Sequence, residues 1–244
     1  MESLSLIIGA LGNSISVLLF LSPVGVFRRI LKHRSTEEFE SLPYICTLLN
    51  SSLWTYYGII KTGEFLVATI NGFGVVVEIV FLTLFLVFAP PRIRAKTAML
   101  IGILDVGFLA AAVLVCQLLL QGDMKIDIIG FLGAGLNVVM YGSPLAAMKT
   151  VVRTKSVEYM PFLLSLFVFL NGGVWTCYAV LKKDWFLGVA NVAGFFLGAA
   201  QLILYAIYWK PKSSKNTAPK DSEHGSQHEH LLPSSSHFRE NNEA

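Results

Sequence analysis

LNSSLWTYYG at Leu49–Gly58 and LNGGVWTCYA at Leu170–Ala179 are one ten-residue pattern written twice. Asn, Trp and Tyr recur at the same mutual spacing, 121 residues apart, inside otherwise apolar stretches. Working outward, the same offset carries Gly9 to Gly130, Gly12 to Gly133, Ser22-Pro23 to Ser143-Pro144 and Ser35 to Ser156. After a one-residue deletion, Asn71 pairs with Asn191 and Gly74 with Gly194. Pro43 and Pro161 are 118 apart, so the loops before them differ by three residues. Special and polar residues held in register over this length mark a duplicated unit.

The rest of the chain says where that unit lives. Hydrophobic residues make up 54% and charged residues 14%, with a mean hydropathy of +0.62. A soluble domain carries about 25% charge. Apolar runs recur at about 4–27, 42–61, 65–89, 98–120, 127–148, 160–181 and 185–209. Each is long enough to cross a hydrocarbon layer of roughly 30 Å as a helix, which satisfies its own backbone in lipid. No cleavage-site pattern follows the first run, so it reads as a retained helix. The expected fold is an all-α membrane protein of seven transmembrane helices. Two three-helix repeats, residues 1–97 and 127–210, are joined by a linker helix in 98–126, and a disordered tail follows over 211–244. The second repeat begins four crossings after the first. Four is even, so the repeats are parallel.

Charge sets the orientation. Of the 19 Lys and Arg, ten fall in the loops after the first, third and fifth helices, five in the tail and four on the other face. This asymmetry places the tail in the cytosol and the N-terminus outside or in a lumen. It makes the basic residues topology signals rather than a nucleic-acid surface. Pro90-Pro91 reads as the end of the third helix and the start of a loop. Cys46, Cys116 and Cys177 lie in apolar runs with neither disulfide nor metal spacing, and no nucleophile–base pair appears. The expectation is therefore no enzyme, no metal and no cofactor. In the tail, EHLLP at Glu229–Pro233 is either a stray leucine pair or an acidic dileucine sorting signal through Leu231 and Leu232.

Asn50, Trp54 and Tyr57 are spaced i, i+4, i+7 and share one helix face, as do Asn171, Trp175 and Tyr178. An unpaired amide in hydrocarbon costs several kcal/mol, so these Asn side chains, with Asn71 and Asn191, must face protein or water. A lone membrane Asn is more often interhelical glue, worth about 0.6 kcal/mol per bond. Pairs related by the repeat, beside paired Trp, point instead to a lined cavity. Amides donate and accept while indole faces pack on C–H surface, which suits a neutral polyhydroxylated ring. Glu78 is the lone mid-membrane acid, and its repeat position is Gly198. It is either a hydrogen-bonded structural residue or a proton relay. Pro23, Pro43, Pro144 and Pro161 fall at one membrane level, two per repeat, and read as a ring of hinges. Pro43 and Pro161 also suit simple first-turn positions. On the opposite face, Tyr57 and Asp184 are placed to meet as a hydrogen-bonded gate.

The stretches GNSISVLLFLSP, STEEFESLPY, TLLNSSLWTYYG, NGFG, the second SP and KSVEYMPF resemble the SWEET (MtN3/saliva) sugar transporters, over about residues 5–209. NSSLWTYYG, LNVVMYGSPLAAMKTVV and FLNGGVW look most like the plant vacuolar clade. The resemblance implies bidirectional facilitated transport of mono- or disaccharides by two bundles rocking about a central site in the bilayer. It implies that Asn71 and Asn191 bond the sugar, that Trp54 and Trp175 clamp it, and that Asn50 and Asn171 shape the pocket toward a hexose, fructose or glucose. Pro23, Pro43, Pro144 and Pro161 match the family's cytosolic gate, and Tyr57 with Asp184 its outer gate. It also implies homo-oligomers and a vacuolar membrane, with Leu231 and Leu232 as the sorting element. One departure is Ala179, where the second repeat often has Gly.

The alternatives within this reading are a sucrose-selective or plasma-membrane exporter and a proton-coupled transporter of another small solute. A receptor needs no internal duplication. A photoreceptor needs a lysine inside the seventh helix, and none lies between Asp184 and Lys210. A proton-driven carrier of cationic amino acids would be expected to have Gln after Pro43 or Pro161, where Tyr44 and Phe162 stand.

Overall fold

The computed structural model describes residues 2–209 apart from Tyr159. The tail at 211–244, with Leu231 and Leu232, lies outside the described residues. Within them, every regular element is helical: α1 Glu2–Phe20, α2 Val24–His33, α3 Leu42–Ile60, α4 Phe65–Phe88, α5 Pro91–Leu100, α6 Leu109–Leu118, α7 Asp123–Met140, α8 Gly142–Thr154, α9 Phe162–Lys182 and α10 Trp185–Tyr208. A π-helical segment, Ile101–Phe108, joins α5 to α6. Six continuous helical stretches are long and apolar enough to cross a membrane. α3, 19 residues and about 28 Å long, lies along α4 with its polar stripe turned to protein and makes the seventh crossing.

In the first unit α1 packs on α4 and α4 on α3, and in the second α7 packs on α10 and α10 on α9. The units meet through α1 against α9 and α3 against α7. The linker formed by α5, the π segment and α6 lies against α3 and α7. There Gln117 Nε2 donates to the Tyr56 hydroxyl at 2.7 Å. The membrane side where α1 begins is called the N face here, and the side where α4 and α10 end the C face.

Two expectations need correction. The loop expected after the first run is largely helix, because the chain breaks at Leu21–Pro23 and resumes as α2, and α8 follows Tyr141 in the same way. Proline tolerates the first turn of a new helix, so Pro23 and Pro144 mark interruptions rather than ends. Phe27 and Ile30 of α2 then bury themselves against Phe81 and Phe85 of α4. Nor does Pro90-Pro91 open a loop. Pro90 caps α5 and Pro91 starts it, leaving Ala89 and Pro90 as the whole connection.

The repeated glycines explain the repeated aromatics. A Cβ at Gly12 would lie 3.0 Å from Trp175 Cε2, and one at Gly133 would lie 3.0 Å from Trp54 Cε2. At Gly9 and Gly130 the corresponding approaches are 2.9 Å to Tyr178 and 2.9 Å to Tyr57. Each unit's aromatic stripe is thus seated on the other unit's glycines. Ala179 finds room the same way. Gly58 faces Ala68 in the first unit, whereas Ala179 faces Gly188 in the second, so the glycine has moved to the partner helix.

Candidate functional site

A cavity of about 490 Å³ lies between the two units. Asn50, Trp54, Asn71, Asn171, Trp175 and Asn191 all line it, brought together from α3, α4, α9 and α10. Asn71 Nδ2 donates to the Val67 carbonyl at 2.8 Å and Asn191 Nδ2 to the Leu187 carbonyl at 2.8 Å. Anchoring one N–H on its own helix in each case fixes the amide and leaves its Oδ1 and second N–H for a guest. Asn50 Oδ1 is buried and without a partner. Asn171 Oδ1 accepts from Ser16 Oγ at 2.6 Å, and Trp175 Nε1 donates to that same hydroxyl at 3.0 Å.

Ser16 and Asn137 also line the cavity and were not singled out from the sequence. They occupy equivalent places in the two repeats, 121 residues apart. The missed signal was that offset itself, hidden because the two residues differ.

Toward the N face the cavity is shut. The Tyr57 hydroxyl, fully buried, donates to the Asp184 carboxylate, 2.9 Å from Oδ1 and 2.8 Å from Oδ2. Lys61 Nζ donates to Asp184 Oδ2 at 2.6 Å and to the Tyr57 oxygen at 2.8 Å. Asp184 caps α10 as well, its Oδ1 accepting from the Leu187 N–H at 3.0 Å. Glu64, which caps α4, occupies the equivalent place in the first unit and lies beside Tyr178 of the second. Burial pushes the Glu64 carboxyl above its ordinary range, against the opposing pull of Tyr178, Lys182 and Lys61. Tyrosine and acid cross from one unit to the other in both directions.

Toward the C face the lining includes Pro23, Pro43, Tyr44 and Glu78. Pro144, third in α8, and Pro161, which caps α9, are not among the lining residues, so two of the four prolines border this cavity. Glu78 is 3% exposed and its Oε2 has no partner. Among the described residues no cluster of three metal-ligating side chains occurs, and the three cysteines are free.

The family model described as "Sugar efflux transporter for intercellular exchange" matches the chain twice, over residues 6–92 and 127–213. The chain is 56% identical to the bidirectional sugar transporter SWEET17 of Arabidopsis thaliana, over 87% of this chain and 88% of that one. Identity to SWEET16 of the same plant is 52%, over 85% and 91% of the two chains. A solved eukaryotic SWEET transporter superimposes with a TM-score of 0.82 at 37% identity, covering 85% of this chain and 97% of that one. The family is one of transporters, not enzymes. With a unit that matches twice and a backbone that follows a solved member nearly end to end, the chain belongs to the SWEET (MtN3/saliva) family of sugar transporters.

Proposed function

We propose that the chain is a facilitative uniporter that moves hexoses, fructose or glucose, in either direction across the vacuolar membrane by alternating access. The observation that carries this reading is the cavity itself. It is lined by two pairs of Asn and a pair of Trp, is shut at the N face by Tyr57, Lys61 and Asp184, and is bordered by Pro23 and Pro43 toward the C face. A sugar entering from the C face accepts and donates hydrogen bonds at the free amide atoms of Asn71 and Asn191, while the indoles of Trp54 and Trp175 hold its C–H faces. Asn50 and Asn171 narrow the chamber to the size of one ring. The two bundles, α1 to α4 and α7 to α10, then rock about the bound solute, with the linker of α5, the π segment and α6 as the tether, hinging where α1 breaks into α2 and α7 into α8. Pro23, Pro43, Pro144 and Pro161 close the C face as the Tyr57–Asp184 contact parts. The basic loops support a cytosolic C face, with the N face toward the lumen. Leu231 and Leu232 supply the sorting signal, and the protein works as a homo-oligomer.

Weak binding fits this task. A millimolar site corresponds to about −4 kcal/mol, which a few amide bonds and two indole contacts supply after desolvation, and which lets the solute leave on the far side. The test is radiotracer uptake of fructose, glucose and sucrose into proteoliposomes. Hexose flux should exceed sucrose flux, and Asn71→Ala and Asn191→Ala should each abolish it while the protein stays folded. Normal flux in either variant removes the pocket reading. A preference for sucrose moves the substrate to disaccharides.

A further inference from the structure

We infer that Glu78 forms a second sugar-binding station, on the C-face side of the central asparagines, where its carboxyl bonds a pair of neighbouring hydroxyls on the solute. This rests on the reading of the cavity as the sugar path.

Glu78 lies seven residues after Asn71 on α4, two turns along the same face and about 10 Å nearer the C face. It lines the cavity with Pro23, Pro43, Tyr44 and Thr47. Its side chain is all but removed from solvent and its Oε2 has no partner in the protein. A buried acceptor left without a partner is costly, and native structures rarely keep one without a use. A structural role would show a donor on α2, α3 or α4, and none reaches that oxygen.

The second repeat is built differently at this position. There Gly198 replaces the acid, and a Cβ on it would lie 2.7 Å from the Phe169 backbone. The helices α9 and α10 close over the space that Glu78 occupies between α3 and α4. The central site is twofold, but this station exists on one side only. A carboxyl presents two oxygens at a spacing that lets it engage two adjacent hydroxyls at once. A sugar approaching from the C face meets Glu78 before it meets Asn71 and Asn191.

The test uses the full chain in proteoliposomes and a fructose series lacking one hydroxyl at a time, with the variants Glu78→Gln and Glu78→Leu. Glu78→Gln keeps an acceptor and should transport with a KM within about threefold of the parent. Glu78→Leu should raise KM about five- to tenfold with little change in maximal rate, the loss expected for one or two hydrogen bonds. For two deoxy sugars, those lacking either of two neighbouring hydroxyls, the parent should already show part of that raised KM, and Glu78→Leu should add less than it does with fructose. Such coupling between particular hydroxyls and one side chain is not produced by a packing defect. Glu78→Met, closer in shape, keeps the comparison available if the leucine variant misfolds. An unchanged KM, or a rise equal for every deoxy sugar, overturns the proposal. A proton current lost in Glu78→Gln overturns it too and makes Glu78 a coupling site. Asn71→Ala and Asn191→Ala in parallel separate the failures. If they abolish flux while Glu78 variants behave as the parent, only the second station falls.

Discussion

Removing the charge on Asp184 should open the N face. The Asp184 carboxylate is fully buried and serves Tyr57, Lys61 and the first turn of α10 at once. In Asp184→Asn the side-chain oxygen still caps Leu187 and still accepts from Tyr57, so α10 keeps its start. What goes is the 2.6 Å contact with the Lys61 ammonium, because the amide nitrogen is a donor facing a donor. A charge-assisted hydrogen bond of this kind is worth about 2 kcal/mol, which shifts the balance between closed and open N faces about 30-fold. Thr62 and Lys183, both exposed on the N-face turns, are equivalent positions and suit a pair of spin labels once Cys46, Cys116 and Cys177 are replaced by Ala. Pulsed electron spin resonance should show one short distance in the parent and a dominant longer one in Asp184→Asn. Lys61→Met should give the same shift, since it removes the other partner. If both variants keep the parent distance distribution, the contact is not what holds the N face shut.

Other outcomes follow from the same geometry. Gly12→Ala and Gly133→Ala each bring a methyl to 3.0 Å from an indole, displacing Trp175 or Trp54 into the cavity, and should cut sugar flux at least tenfold while stability falls by only about 1–3 kcal/mol. The raised Glu64 carboxyl means that folding disfavours its charge, a penalty present above its titration and relieved as pH falls. Glu64→Gln should therefore melt higher than the parent at pH 7.5, the gap narrowing toward pH 5 in a thermal-shift series. Leu231→Ala combined with Leu232→Ala should send a fluorescent fusion to the plasma membrane instead of the vacuole, and unchanged vacuolar residence would remove the tail signal.

The architecture was legible because lipid makes certain residues expensive. Asn50, Asn71, Asn171 and Asn191 stand out in apolar runs, and the glycines, prolines and tryptophans around them fix the offset between the halves. Serine is cheap in a membrane helix, since it can bond its own backbone, so Ser16 carries no such flag. Its counterpart Asn137 escapes for another reason, being a lone amide whose repeat position is not an amide. Glu64 and Asp184 are different acids displaced by a one-residue deletion, which conceals that they hold equivalent posts. The continuation of the first and fifth crossings past Pro23 and Pro144 was hidden by charge. Arg28, Arg29 and Lys32 read as loop, yet Phe27 and Ile30 give α2 an inward face against α4.

The seating of each aromatic stripe on the other half's glycines bears on how the protein is made. α3 enters the bilayer during synthesis with Trp54 and Tyr57 facing a place that Gly133 and Gly130 of α7 will fill only later. Until α7 is made, those rings lack the glycines they pack on, and α6, which touches both α3 and α7, is the segment that links the early helix to the late one. A ribosome stalled after the first three helices would thus leave behind an orphan half whose most costly surface is still bare.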